Sequence, residues 1–219
     1  MTDTQGADTP LIAVIDDDTG VRGSLSSLLR AHGYRVATFA APGEFLAWSE
    51  ASQVSSLILD VWLESVNGLD FQQHLLDDGI LVPLIVISGH GDIPQTVRAM
   101  KAGAISFLAK PVDNEALLAA VAEAVTMDNA RRQKSSGLVD LRHQYEKLTG
   151  REREIMALVT AGLMNKQIAA RLSLSDITVK IYRGNLMRKM QAQSLADLVR
   201  MAEDLGARDL SAKRYQPQP

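Results

Sequence analysis

The sequence predicts an α/β doubly wound domain built on a five-stranded parallel sheet, followed by an all-α domain. Three observations carry this. From Leu11 to Val125, short apolar runs alternate with helix-like stretches. Strand, helix, strand, helix demands crossover connections and therefore a parallel sheet. After Leu148 no strand pattern recurs, and between the two halves lies a polar stretch, Asn129–Gln144.

The elements follow in order. Leu11–Ile15 and Leu84–Ile87 are apolar without a break, the pattern of strands buried on both faces. Tyr34–Phe39, Leu57–Leu59 and Ile105–Leu108 supply the other three strands. Helical stretches include Val21–Ala31, Leu69–Leu76, Pro94–Ala102 and Glu115–Val125. Five strands and five helices in this length fit the flavodoxin-like arrangement. The first domain is expected over residues 9–127 and a largely helical linker over 128–145. Leu138, Leu141, Tyr145 and Leu148 share a helical face. With so few repeats, that face docks the linker onto the second domain rather than forming a coiled coil. The second domain is expected over 146–206. Thr149 with Glu152 has capping-box spacing, and Ser194 with Asp197 approximates it. Helices are predicted at Glu152–Ala161, Asn165–Leu172, Asp176–Met190 and Leu195–Leu205. The polar tail, 207–219, is expected to be disordered.

Composition narrows the chemistry. The chain has 219 residues, no cysteine and a net charge of −3. Disulfides, thiolate metal sites and cysteine nucleophiles are excluded. Leu11–Met127 carries a net −8 and Tyr145–Leu205 a net +3, an asymmetry that fits halves meeting different partners and fits equally two soluble domains that simply differ in charge. No apolar run approaches the ~20 residues needed to span a bilayer, and the polar N-terminus lacks signal-peptide order. A cytoplasmic protein with no membrane partner is the expectation.

In an open parallel sheet, ligands bind beyond the carboxyl ends of the strands. There the sequence places Asp16, Asp17 and Asp18 after the first strand and Asp60 after the third. Ser88 follows the fourth and Lys110-Pro111 the fifth. Singly, an Asp run is an ordinary N-cap and Lys-Pro an ordinary turn; their joint occurrence at one rim points to a pocket. Crowded carboxylates need a cation, and hard oxygen donors suit Mg²⁺. One carboxylate can then attack an incoming phosphoryl group, with Lys110 and Ser88 sharing its charge. The four histidines, His32, His74, His90 and His143, lack metal-ligand spacing, and His90 reads as a solvated loop residue.

The stretches AVIDDD, LILD, LIVISGHGD and FLAKP resemble the receiver domain of two-component response regulators of the FixJ/NarL type, over Leu11–Thr126. The resemblance implies that Asp60 accepts the phosphoryl group. It implies that Asp16 and Asp17 hold Mg²⁺, Asp17 the more directly, with Asp60 and the Trp62 backbone carbonyl completing the protein ligands. Ser88 and Phe107 match the switch pair and Lys110 the conserved lysine, whose bond to Pro111 is often cis. Asp18 receives no catalytic role. Leu63-Glu64 replaces a usual Met-Pro, so the loop after Asp60 is expected to be more mobile. Trp62 is bulky beside the metal and is expected to slow phosphoryl exchange.

In the second half, two helices flank a Ser-Leu-Ser turn, which is helix-turn-helix spacing. Val179, Tyr182, Leu186 and Met190 recur at helical spacing and pack inward. Thr178, Lys180, Ile181, Gly184, Asn185 and Arg188 remain outside, flanked by Arg183 and Lys189. Alone, this would be a solvated charged face. Leu148–Ala202, however, resembles the LuxR-type DNA-binding domain almost throughout. The resemblance implies base reading by Lys180, Ile181 and Gly184. It implies backbone contacts by Asn165, Lys166, Arg183 and Lys189. The implied partners are DNA, a sensor histidine kinase, RNA polymerase and, on phosphorylation, a second copy of the chain. Such a protein is not an enzyme beyond its own phosphorylation and dephosphorylation. The rival reading is a haloacid-dehalogenase-like phosphatase with Asp16 as nucleophile and Asp18 as acid/base. It leaves Asp60 idle and gives the second half no role. A third reading, a DNA-binding protein whose receiver no longer takes phosphate, rests on Trp62 and Glu64.

Overall fold

The computed structural model describes residues 9–64, 66–89 and 93–209. His90 and residues 210–219 of the expected tail lie outside them. The chain divides into two compact units, with the boundary between Arg132 and Gln133.

The first unit is a five-stranded parallel sheet in the order β2-β1-β3-β4-β5. The strands are β1 (Leu11–Ile15), β2 (Arg35–Phe39), β3 (Ser56–Asp60), β4 (Leu84–Ser88) and β5 (Ser106–Ala109). They alternate with α1 (Thr19–Ala31), α2 (Pro42–Ala47), α3 (Gly68–Asp77), α4 (Ile93–Lys101) and α5 (Asn114–Glu146). Every residue of β1, β3 and β4 is buried. Helices on both faces explain this, and explain why these runs are unbroken rather than alternating. Leu11, Ala13 and Ile15 face a core with Phe45, Leu69, Phe71, Leu75 and Ala99, from α2, α3 and α4. Ile12 and Val14 face the other, with Leu25 and Leu29 of α1 and Leu117, Val121 and Ala124 of α5. The strand order reverses direction at β1 and β3, so a crevice opens between their carboxyl ends.

The sequence reading ends the fifth helix at Val125 and gives the linker separate bounds, whereas α5 runs unbroken through both. No proline interrupts that stretch, and Gly137 alone weakens it. Arg131 and Arg132 are not simply solvated linker residues. Both pair with Asp128, which is fully buried, at 2.7 and 2.5 Å. Arg132 also reaches the carbonyl of Val54 at 3.1 Å, tying α5 to the segment before β3.

The second unit holds the end of α5, then α6 (Gly150–Thr160), α7 (Asn165–Leu172), α8 (Asp176–Lys189) and α9 (Leu195–Asp204). Its core gathers Leu148, Ile155, Met156, Ile168, Val179, Leu186, Met190 and Leu198. Leu141 and Tyr145 pack against that core. The Thr149–Glu152 capping box forms, the Thr149 N–H donating to Glu152 Oε2 at 2.8 Å and the Glu152 N–H to Thr149 Oγ1 at 3.2 Å. Among the described residues, no helix is long and apolar enough to cross a membrane.

Candidate functional site

The crevice between β1 and β3 collects the acidic residues. Asp16 directly follows β1 and Asp60 ends β3; both are buried, while Asp17 lies nearer solvent. Each of the three offers a carboxylate oxygen within 4.8 Å of the others. Lys110, directly after β5, spans two of them, its Nζ donating to Asp16 Oδ2 and Asp60 Oδ2, each at 2.7 Å. Two of the three carboxylates thus share one ammonium, and the third adds surplus negative charge. A crowded set of hard oxygen donors with surplus negative charge fits a small divalent cation, and Asp16, Asp17 and Asp60 are the residues that could hold it.

Local structure fixes each group. Asp16 Oδ1 accepts the Asp18 N–H at 2.9 Å, and Asp60 Oδ1 accepts the Trp62 N–H at 3.3 Å. Asp18 turns away as the N-cap of α1, accepting from the Gly20 and Val21 N–H groups at 2.7 and 3.1 Å. Those bonds hold its carboxyl below the ordinary carboxylate range. That placement removes the acid/base residue from the phosphatase reading. Ser88 is fully buried at the end of β4, and its carbonyl accepts the Lys110 N–H at 2.8 Å. The Lys110–Pro111 peptide is cis. Phe107 is half-buried on β5 against the α2/α3/α4 core. Trp62 is 50% exposed. Leu63 is buried, and Trp62 bridges to Asn67, so the loop after Asp60 is tied at those points.

Two residues that sequence reasoning missed shape this pocket. The Arg22 guanidinium donates to the carbonyls of Asp16 and Asp17 at 2.6 and 2.9 Å, pinning the backbone that carries both carboxylates. Gly68 opens α3 against the back of Asp60; a Cβ there would lie 2.0 Å from the Asp60 carbonyl oxygen. Neither follows from side-chain type at strand ends.

Burial is the largest influence on Asp60 and raises its pKa above the ordinary value; the Lys110 bond only partly offsets this. For Lys110, burial disfavours the ammonium, but its bonds to Asp16 and Asp60 prevail and raise its pKa above 10.5. A raised cationic pKa contributes stability that is complete below 10.5 and is lost as pH rises through the folded-state value. The stability advantage of the native chain over Lys110→Met is therefore expected to shrink above pH 10.5, as read from alkaline melting curves.

In the second unit, α8 presents a solvent face. Lys180, Ile181, Gly184 and Arg188 are exposed along it; Thr178 and Asn185 are half-buried beside it. Lys180 pairs with Asp176 at 3.2 Å and Arg188 donates to Asn185 at 3.0 Å. Ser175 caps the helix, its Oγ accepting the Thr178 N–H at 3.0 Å and lying 2.7 Å from Thr178 Oγ1. Lys166 is exposed at the start of α7. Asn165 and Arg183 bond each other at 2.5 Å, joining α7 to α8. Lys189 lies 2.7 Å from the buried Glu152 carboxylate. For Glu152, burial opposes ionisation, but the Lys189 and Thr149 bonds prevail and lower its pKa. The face also carries Ile177, 70% exposed, which sequence reasoning passed over. Its one-turn spacing from Ile181 is the signal that could have found it.

Comparison with known proteins agrees with both units. Residues 12–122 match the family described as the response regulator receiver domain, and residues 146–202 match the bacterial regulatory proteins of the luxR family. The chain is 47% identical to nodulation protein W of Bradyrhizobium diazoefficiens over 93% of this chain and 89% of that protein. It is 42% identical to response regulator protein TodT of Pseudomonas putida, covering 89% of this chain and 86% of that one. The solved structure of response regulator StyR superimposes with a TM-score of 0.78 at 42% identity, over 89% of this chain and 98% of that one.

Proposed function

Since the chain belongs to the response regulators that join a receiver domain to a LuxR-type DNA-binding domain, we propose that Asp60 carries the phosphoryl group and that its modification switches DNA binding by α8. The single observation that carries this reading is the convergence of Asp16, Asp17 and Asp60 within 4.8 Å, with Lys110 bridging two of them. Asp60 Oδ2 attacks the phosphorus of a phosphohistidine in a sensor kinase, and the imidazole leaves. Bound Mg²⁺ supplies charge neutralisation at the transferring oxygens. Asp16, Asp17 and Asp60 would hold it, with the Trp62 carbonyl as a further ligand. Lys110 keeps its ammonium for the new phosphoryl oxygens, and Ser88 donates its hydroxyl to another. Arg22 keeps the acidic loop in place.

The modification adds roughly −1.5 to −2 charges and three acceptor oxygens. Ser88 and Lys110 follow them, and Phe107 turns inward from its half-buried position. The α4–β5 surface is thereby remodelled into the contact for a second copy. A complete switch, from 1:99 to 99:1, requires about 5.5 kcal/mol of differential stabilisation, which a few charge-assisted bonds can largely supply. The domain bounds we propose are 9–127, 128–145 and 146–206, and the setting is the cytoplasm, where RNA polymerase is the partner at the promoter.

Incubation with acetyl phosphate and Mg²⁺ tests the reading, with intact mass and DNA retardation read on one sample. Expected are a single added phosphoryl group and tighter, more specific DNA binding. Omitting Mg²⁺ is expected to abolish both. Lys180→Ala is expected to weaken operator binding; unchanged binding across a salt titration would remove α8 from the groove.

A further inference from the structure

The solvent face of α8 has a chemistry that phosphate contacts do not explain. Ile177 is 70% exposed and Ile181 is 60% exposed. They stand one helical turn apart, and Gly184 continues the same line at the next turn. A large aliphatic side chain held in water forgoes the gain of burial. One alone is commonplace, but two aligned on the face proposed to enter the groove form an apolar strip.

Gly184 supplies an independent observation. Glycine disfavours a helix interior, so its presence in mid-helix needs a reason. Backbone conformation gives none, because Gly184 is not among the glycines with positive φ. Internal packing gives none either, because a Cβ at Gly184 would meet nothing within 4 Å. What remains is close approach from outside. Lys180, the cation beside this strip, is drawn toward Asp176 at 3.2 Å, which leaves the centre of the face apolar.

We infer that this strip reads thymine 5-methyl groups in the major groove. Ile177 and Ile181 pack on the methyls, and Gly184 lets the helix axis sit close to the base edges. The thymine methyl is the apolar group that base edges offer there. The inference rests on the DNA-binding reading above and adds to it a residue, Ile177, and a ligand chemistry. Recognition is then dominated by shape and apolar contact, with Lys180 and Arg188 holding the strands.

The test starts from duplexes selected out of a random library by the full-length chain after acetyl phosphate treatment. Selected sites are resynthesised with uracil replacing thymine, one position at a time. At two or more positions, affinity is expected to fall about fourfold for each methyl removed. Ile177→Ala and Ile181→Ala should each lose sensitivity at a different subset of those positions. Gly184→Ala is expected to raise the melting temperature of the second unit yet lower affinity by about tenfold. That combination separates close approach from a folding defect. Uracil duplexes bound as tightly as thymine duplexes would overturn the inference. So would Gly184→Ala binding at native affinity, or isoleucine variants that keep every sensitivity, which would assign the strip to a protein partner. A chain that retains no duplex of any sequence overturns the DNA-binding reading itself, and this inference with it.

Discussion

Asp60→Asn is expected to take no label from acetyl phosphate or from a phosphorylated kinase, whatever the Mg²⁺ concentration, while remaining folded. The amide lacks the nucleophilic oxygen, so labelling falls to background on intact-mass analysis, and the DNA response falls with it. Retained labelling would move the acceptor to another carboxylate, Asp16 or Asp17 being nearest. The same variant has a second readout, in stability. Burial raises the pKa of Asp60 above its ordinary 3.8, so the native state holds its proton more tightly than the unfolded chain does. Stability contributed by this group is therefore lost as pH rises from 3.8 through the folded-state value, and the loss is complete above that value. Asparagine does not titrate. Without divalent cation, Asp60→Asn is expected to melt higher than the native chain once pH exceeds the folded-state value of Asp60. The difference should shrink when pH falls below the ordinary carboxylate value. Above the folded-state value, a melting temperature below that of the native chain would mean that the Lys110 bond outweighs burial.

Gly68→Ala is expected to be the most damaging single methyl in the first unit. The added carbon would stand 2.0 Å from the Asp60 carbonyl oxygen and 3.0 Å from both the Asp60 carbonyl carbon and Val61 Cα. All three are backbone atoms, so no rotamer relieves the overlap. Either α3 backs away, stretching the 2.8 Å bond from the Gly68 N–H to the Val61 carbonyl, or the end of β3 moves and takes Asp60 with it. Overpacking of this kind costs about 1–3 kcal/mol, and a displacement of Asp60 is expected to lower phosphorylation as well. Gly23→Ala is the matched control. Its Cβ would meet nothing within 4 Å in the middle of α1, so a gain of about 0.5–1 kcal/mol is expected. Equal melting temperatures for the two variants would refute the close-contact argument.

The contrast between these glycines shows what the sequence makes legible. The strands could be read because burial on both faces leaves continuous apolar runs such as Leu11–Ile15 and Leu84–Ile87. The pocket could be read because polar residues at strand ends have few other reasons to be acidic together. Asp18 was legible in part: its N-cap role follows from its place just before a helix, and the structure shows that role. Gly68 and Arg22 were not legible, because their importance lies in which backbone atoms they approach, and sequence spacing does not encode that. The unbroken α5 escaped for a similar reason. A polar stretch reads as linker until a buried partner such as Asp128 is seen holding its arginines. On α8, the basic residues drew attention, yet Arg183 and Lys189 have partners within the protein, Asn165 and Glu152. Charge type identifies a cation; only coordinates reveal what it already holds.

Trp62 gives the molecule a chromophore at its acidic crevice. The chain has two tryptophans, and Trp48 packs on the Phe39 ring at 5.2 Å. Trp62 is half-exposed, and its backbone N–H is bonded to the Asp60 carboxylate. An indole so placed changes its emission when charge arrives beside it. Cation loading and phosphorylation of the crevice should therefore be visible as two fluorescence steps in unlabelled protein, kept in Trp48→Phe and lost in Trp62→Phe.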